Sequence, residues 1–165
     1  MEKNDLSGQP GKKNEYRAVL HRAADYCSRM ERSSGQVRKK MKEWEVPDPW
    51  ATKILDKLVE QKFVDDARYA TLFAREKFRL NRWGRVKIAH ALRQNGITIE
   101  LIQEALEEID EDTYYETCFE LLKGKSATLK DKNQYIRKGK LLRYASARGF
   151  ETDMIYRILR EEGLG

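Results

Sequence analysis

Cysteine, proline and histidine are all scarce in this chain, and each scarcity removes a class of protein. Cys27 and Cys118 are the only cysteines in 165 residues. They are far apart and no Cys-x-x-Cys occurs, so neither a disulfide framework nor a cysteine-held zinc is encoded, and both read as small buried hydrophobes. Three prolines and ten glycines supply too little turn material for an all-β chain. The two histidines, His21 and His90, have no metal-ligand spacing. No G-x-x-x-x-G-K-[ST], G-x-G-x-x-G or G-x-S-x-G stretch is present, which leaves nucleotide and acyl-transfer chemistry without support and argues against an enzyme. No cofactor and no metal are expected. No apolar run approaches the ~18 residues of a membrane span, and the opening residues lack the apolar segment of a secretory leader. The expectation is a cytoplasmic protein with no membrane partner.

What the chain does have is charge, laid down in blocks. The total is 33 Lys and Arg against 27 Asp and Glu, a net +6, but the signs are segregated. Between positions 75 and 93, Arg75, Lys77, Arg79, Arg82, Arg85, Lys87 and Arg93 stand against Glu76 alone. Residues 98–116 then carry acids and no Lys or Arg. From 123 to 148, a second basic block with Arg137, Lys138, Lys140, Arg143 and Arg148 is opposed only by Asp131. Blocks of this kind suit a polyanion or an acidic protein surface as partner. Trp83, between Arg82 and Gly84, either stacks on a base or packs in the seam between two helices.

The apolar positions recur at helical spacing throughout. Val19, Leu20, Ala23, Ala24, Cys27 and Met30 trace one face of a first helix; Ser33-Ser34 offer a cap for a second with Val37, Met41 and Trp44. Pro49 stands near the start of a third with Trp50, Ile54, Leu55, Leu58 and Val59. Asp65-Asp66 reads as a cap for the next helix rather than a metal pair, and Gly96 sits where a left-handed C-terminal cap belongs. A shift of 51 residues lays Val37 on Ile88, Met41 on Leu92, Val46 on Ile97 and Ile54 on Ala105. A shift of 53 lays Ile88 on Leu141, Gly96 on Gly149, Ile97 on Phe150 and Leu106 on Leu159. The pattern is an internal repeat. It implies an all-α chain of three tandem three-helix repeats, at 15–63, 64–111 and 112–165, behind a flexible tail at 1–14. Units of roughly 50 residues bury too little to stand alone, so each should lean on the next in an elongated, curved array. Glu45 takes the place of Gly96 in repeat one, which predicts a differently shaped turn there; Ala145-Ser146 replaces Leu92-Arg93 in repeat three, which predicts a looser core.

The spaced combination Asp65-Asp66-Ala67-Arg68-Tyr69-Ala70, Gly84 and Leu92-Arg93-Gln94-Asn95-Gly96-Ile97, with Ile102 to Leu106 beyond, resembles the signature of the RecX regulatory family, from Tyr16 onward and most strongly in repeat two. The resemblance implies tandem three-helix repeats and a protein that modulates, mostly inhibits, the RecA recombinase in DNA repair and the SOS response. Its partners would be RecA and RecA-coated single-stranded DNA, with weak direct DNA binding beside them, and it would act as a monomer. The signature residues Asp65, Asp66, Arg68, Tyr69, Ala70, Gly84, Leu92, Gly96 and Ile97 are then largely structural. Filament or DNA contacts fall to Arg75, Arg79, Arg82, Arg85, Lys87, Arg93, Arg137, Lys138, Lys140, Arg143 and Arg148. The alternative is a helical DNA-binding or architectural protein acting without RecA, since three-helix units with a basic second helix also resemble helix-turn-helix modules.

Overall fold

Capping, periodicity and left-handed turns set several of the helix boundaries. The computed structural model describes residues 10–164, and among them the chain forms nine α-helices and no strand. They are α1 (Pro10–Arg29), α2 (Ser34–Glu43), α3 (Asp48–Glu60), α4 (Asp66–Asn81), α5 (Arg85–Gln94), α6 (Ile99–Glu107), α7 (Glu111–Thr128), α8 (Gln134–Ala147) and α9 (Thr152–Glu161). Of the tail expected at 1–14, residues 1–9 lie outside the described residues, and residues 10–14 are already helical. Pro10 has the φ of a first helical residue, and each residue added to an existing helix gains a hydrogen bond without a new nucleation cost. Those residues are exposed and add length, not core.

The helices group into two compact units. The first holds the described residues up to Tyr69 together with Asn95–Ile97, and the second holds Ala70–Gln94 with Thr98 onward. In the first unit Ala23 and Cys27 of α1, Val37 and Met41 of α2, and Ile54, Leu55 and Leu58 of α3 close one apolar core. Edge-to-face ring pairs seal its sides, Tyr16 with Trp50 at 5.7 Å and Tyr26 with Trp44 at 6.0 Å. Met30 and Val59, expected on the buried faces, are 57% and 49% exposed. Met30 lies one residue past the end of α1, where the helical face no longer applies.

Ser33 begins α2 with a capping box: its hydroxyl accepts from Gln36 N–H at 3.1 Å while the Gln36 side chain accepts from Ser33 N–H, also at 3.1 Å. The same hydroxyl donates to the Asn95 carbonyl at 2.6 Å, and Ser33 is fully buried. Ser33→Ala should lower stability by about 1–2 kcal/mol, the upper part of the range for a lost N-cap; thermal unfolding followed by circular dichroism measures it, with Ser28→Ala on the exposed face as the reference.

The turn between second and third helix is made alike three times. Glu45, Gly96 and Gly149 have φ of +58°, +79° and +93°, and the residue after each, Val46, Ile97 and Phe150, is buried. The absence of glycine in repeat one therefore leaves the left-handed turn in place; Glu45 adopts it at a steric cost that the seating of Val46 offsets. In repeat three Ala145 is fully buried, and Phe150 stands where Ile97 does in repeat two. Bulk lost at one position of the turn is supplied at the other.

Candidate functional site

Two junctions of the same design surround the second and third helices of the repeats, and they decide which charged residues are free. In the first unit Asp65 caps α4, accepting from Arg68 N–H at 2.9 Å. Asp66 accepts from the backbone N–H and the hydroxyl of Ser34 at 2.7 and 2.5 Å. The Arg68 guanidinium reaches Glu31 at 2.7 Å, and the buried Tyr69 hydroxyl accepts from the Asn95 amide at 3.0 Å. Gly35 comes so close to this turn that an added Cβ would lie 2.6 Å from the Asn95 carbonyl oxygen.

In the second unit Asp110 caps α7 by accepting from Thr113 N–H at 2.9 Å. Glu111 pairs with the Arg85 guanidinium at 2.5 Å. The Tyr114 hydroxyl accepts from Arg85 N–H at 3.0 Å and donates to Glu151 at 2.8 Å. Gly84 N–H donates to the Arg148 carbonyl at 2.7 Å and Val86 N–H to that of Gly149 at 3.0 Å. Asp110-Glu111 and Tyr114 thus stand as Asp65-Asp66 and Tyr69 do. That three-residue spacing is the sequence signal for a second copy of the motif, and it ranks Tyr114 with the structural residues. Burial raises the Tyr114 phenol above its ordinary pKa, so it remains a donor at any working pH. Gly96 and Ile97 make the left-handed turn, Ala70 and Leu92 are fully buried, and Gly84 lies against the α8–α9 turn. Each signature residue accordingly makes a cap, a turn, a hydrogen bond or a buried contact within the fold.

The eleven cations singled out from the sequence divide by their surroundings. Arg85 differs most from a free surface charge: its side chain is 22% exposed, paired with Glu111 and laid over the Tyr114 ring at 3.9 Å. Arg137 holds the loop between α7 and α8, donating to the Leu129 and Asp131 carbonyls and to both oxygens of Ser126 at 2.9–3.2 Å. Lys140 pairs with Asp131 at 2.7 Å, and that hydrogen bond holds the Asp131 carboxyl below the usual carboxylate range. Arg75 makes a longer pair with Glu108 at 3.6 Å. Lys87 lies 4.6 Å from the centre of the half-buried Trp83 ring, with Lys77 at 5.3 Å, and Arg148 lies 5.0 Å from that of Tyr144. Arg79, Arg82, Arg93, Lys138 and Arg143 are exposed and make no ion pair among the described residues. Lys77, part of the first basic block but not one of those eleven, joins Lys87 at Trp83.

The described residues hold no group of three or more metal-ligating side chains and no helix long and apolar enough to cross a membrane. Cys27 and Cys118 are both buried as free thiols, and burial pushes Cys118 up to about 12, which makes it a packing residue rather than a nucleophile.

An all-α chain of tandem three-helix domains, pinned by capping carboxylates and buried tyrosines, with unpaired cations on its outer faces, is the class defined by this geometry. Three family models match it in order: RecX, first three-helix domain, over residues 20–58; RecX, second three-helix domain, over 65–106; and RecX, third three-helix domain, over 112–159. The chain is 31% identical over 145 residues to the regulatory protein RecX of Prosthecochloris aestuarii, covering 88% of this chain and 93% of that one. It is 31% identical over 148 residues to that of Pseudomonas savastanoi pv. phaseolicola, covering 88% and 92%. It spans 59% of the longer regulatory protein RecX of Clostridium beijerinckii, at 28% identity. The crystal structure of RecX from Lactobacillus salivarius shares the fold, with a TM-score of 0.85 at 20% identity over 93% of this chain and 99% of that one. The chain belongs to the RecX family, a family of regulatory proteins.

Proposed function

We propose that this chain binds the RecA–DNA filament and modulates RecA, mostly by inhibition, lowering its recombinase, ATPase and coprotease activities in DNA repair and the SOS response. Membership of the RecX family carries the reading. It is supported by Arg93 of α5 and by Lys138 and Arg143 of α8, exposed cations that internal carboxylates leave unpaired and that can meet phosphates through counterion release. Arg85, Arg137 and Lys140 act in this reading by holding the junctions and loop that carry them. The protein acts in the cytoplasm as a monomer without catalysis of its own, as three repeats at 15–63, 64–111 and 112–165.

The test is RecA ATPase and strand exchange with stoichiometric and substoichiometric protein. Both rates should fall, and no effect on either removes the reading. Lys138→Ala with Arg143→Ala should weaken filament binding and lower the slope of log affinity against log salt by about 1–2, while helicity is unchanged.

A second reading, a helical DNA-binding protein acting without RecA, is favoured by one observation: Val86, His90 and Arg93 are all exposed at i, i+4 and i+7 on α5, as on a helix that reads a groove. Tighter binding to bare duplex than to RecA-coated DNA at fixed salt, with sequence preference, would select it.

A further inference from the structure

Within the second unit, α4 and α7 border a groove whose two walls carry opposite charge. Two adjoining recesses of about 610 and 270 Å³ make it up, with Phe78, Arg79 and Thr113 lining both. Phe78, Ala105 and Ile109 give it a buried apolar floor. Along one wall run Arg75 and Arg79, four apart and so on one side of α4, with Arg82 just past the helix end beside them. Along the other run Asp112, Glu116 and Glu120, four apart on α7. Arg75 is drawn to Glu108 at 3.6 Å, which occupies one end. Arg79 and Arg82 form no ion pair with the three carboxylates; among the described residues no such pair lies within bonding distance. The two rows line one groove without closing on each other.

That arrangement discriminates between kinds of partner. A nucleic acid attracted to the arginines would bring its phosphates beside three carboxylates, a like-charge juxtaposition that costs affinity. A polypeptide can satisfy both rows at once. An amphipathic helix offers an apolar ridge at i, i+3, i+4 and i+7 for the floor, with acids on one flank and bases on the other. Opposite rows also fix which way round such a segment lies.

We propose that the α4–α7 groove docks an amphipathic protein segment, acidic on the flank facing Arg79 and Arg82 and basic on the flank facing Glu116 and Glu120. Arg79 and Arg82 then meet protein and not DNA. This rests on the reading of the chain as a filament regulator, and it assigns the segment to the recombinase within the filament.

Glu116→Arg combined with Glu120→Arg tests it, with affinity measured for RecA filaments on single-stranded DNA and for the same DNA bare, at one salt concentration. Affinity for the filament should fall about tenfold or more, the scale of introduced like-charge contacts at a docked surface, while affinity for bare DNA is unchanged or rises. Filament affinity that is unchanged or rises with that for bare DNA means the groove faces phosphate or solvent, and the proposal is overturned. If the unaltered protein itself fails to bind filaments, the parent reading falls and takes the recombinase assignment with it. A second measurement needs no loss of binding. Thr117→Cys carrying a benzophenone, with Cys27 and Cys118 protected by burial, should cross-link to the recombinase on illumination; cross-linking to DNA instead overturns the proposal.

Discussion

Gly84→Ala should cost about 3–5 kcal/mol, overpacking plus the disturbance of two backbone hydrogen bonds. A Cβ at Gly84 would lie 2.3 Å from the carbonyl carbon and oxygen of Gly149 and 2.4 Å from Phe150 N. All three are backbone atoms, so no side chain can swing aside to make room. The approach is that close because Gly84 N–H and Val86 N–H donate to the Arg148 and Gly149 carbonyls, seating the start of α5 on the α8–α9 turn. Relief requires the turn to retreat, and the buried Phe150 retreats with it. Gly124→Ala is the matched control: it lies inside α7 with nothing within 4 Å of its added Cβ, and it should stabilise by about 0.5–1 kcal/mol from helix propensity. Urea unfolding of both variants reads the pair, and a Gly84→Ala protein as stable as the parent would show that α5 does not sit on this turn.

Two substitutions at Tyr114 should separate packing from hydrogen bonding. Tyr114→Ala should cost about 3–5 kcal/mol, as for other large aromatic truncations, because the ring is fully buried, 5.7 Å from Phe78 and 5.2 Å from Phe150. Tyr114→Phe keeps those contacts and removes only the hydroxyl, leaving Arg85 N–H without its acceptor and Glu151 without its donor. About 1–3 kcal/mol is expected for unsatisfied groups of that kind, toward the lower end because Glu151 is partly exposed and can turn to water. The same unfolding experiment decides: equal losses in the two variants would place the whole contribution in the hydroxyl, and no loss in Tyr114→Phe would place it in the ring.

Much of this was legible along the chain because it depends on spacing. Ile88, Leu92 and Ile97 recur as Leu141, Ala145 and Phe150, and all six are buried; a helix that hides one face must repeat its apolar residues at that period. Ser33 and Asp65 announced their helices because a cap acts on backbone only two or three residues away. Arg85 could not be read the same way. Beside Lys87 and Arg82 it belongs to a basic run, and only packing against α7 turns it into a partner of Glu111 stacked on Tyr114. Gly84 stands in the signature that the sequence shows, but its contact with a backbone 65 residues later has no local trace.

The sequence by itself determined the helices, their three-fold repetition and the segregation of charge, since propensity, capping and periodicity act between residues a few positions apart. Tertiary structure decided which cations are paired within the fold and which are left exposed and unpaired, because ion pairing and desolvation depend on what a distant helix brings within a few ångströms.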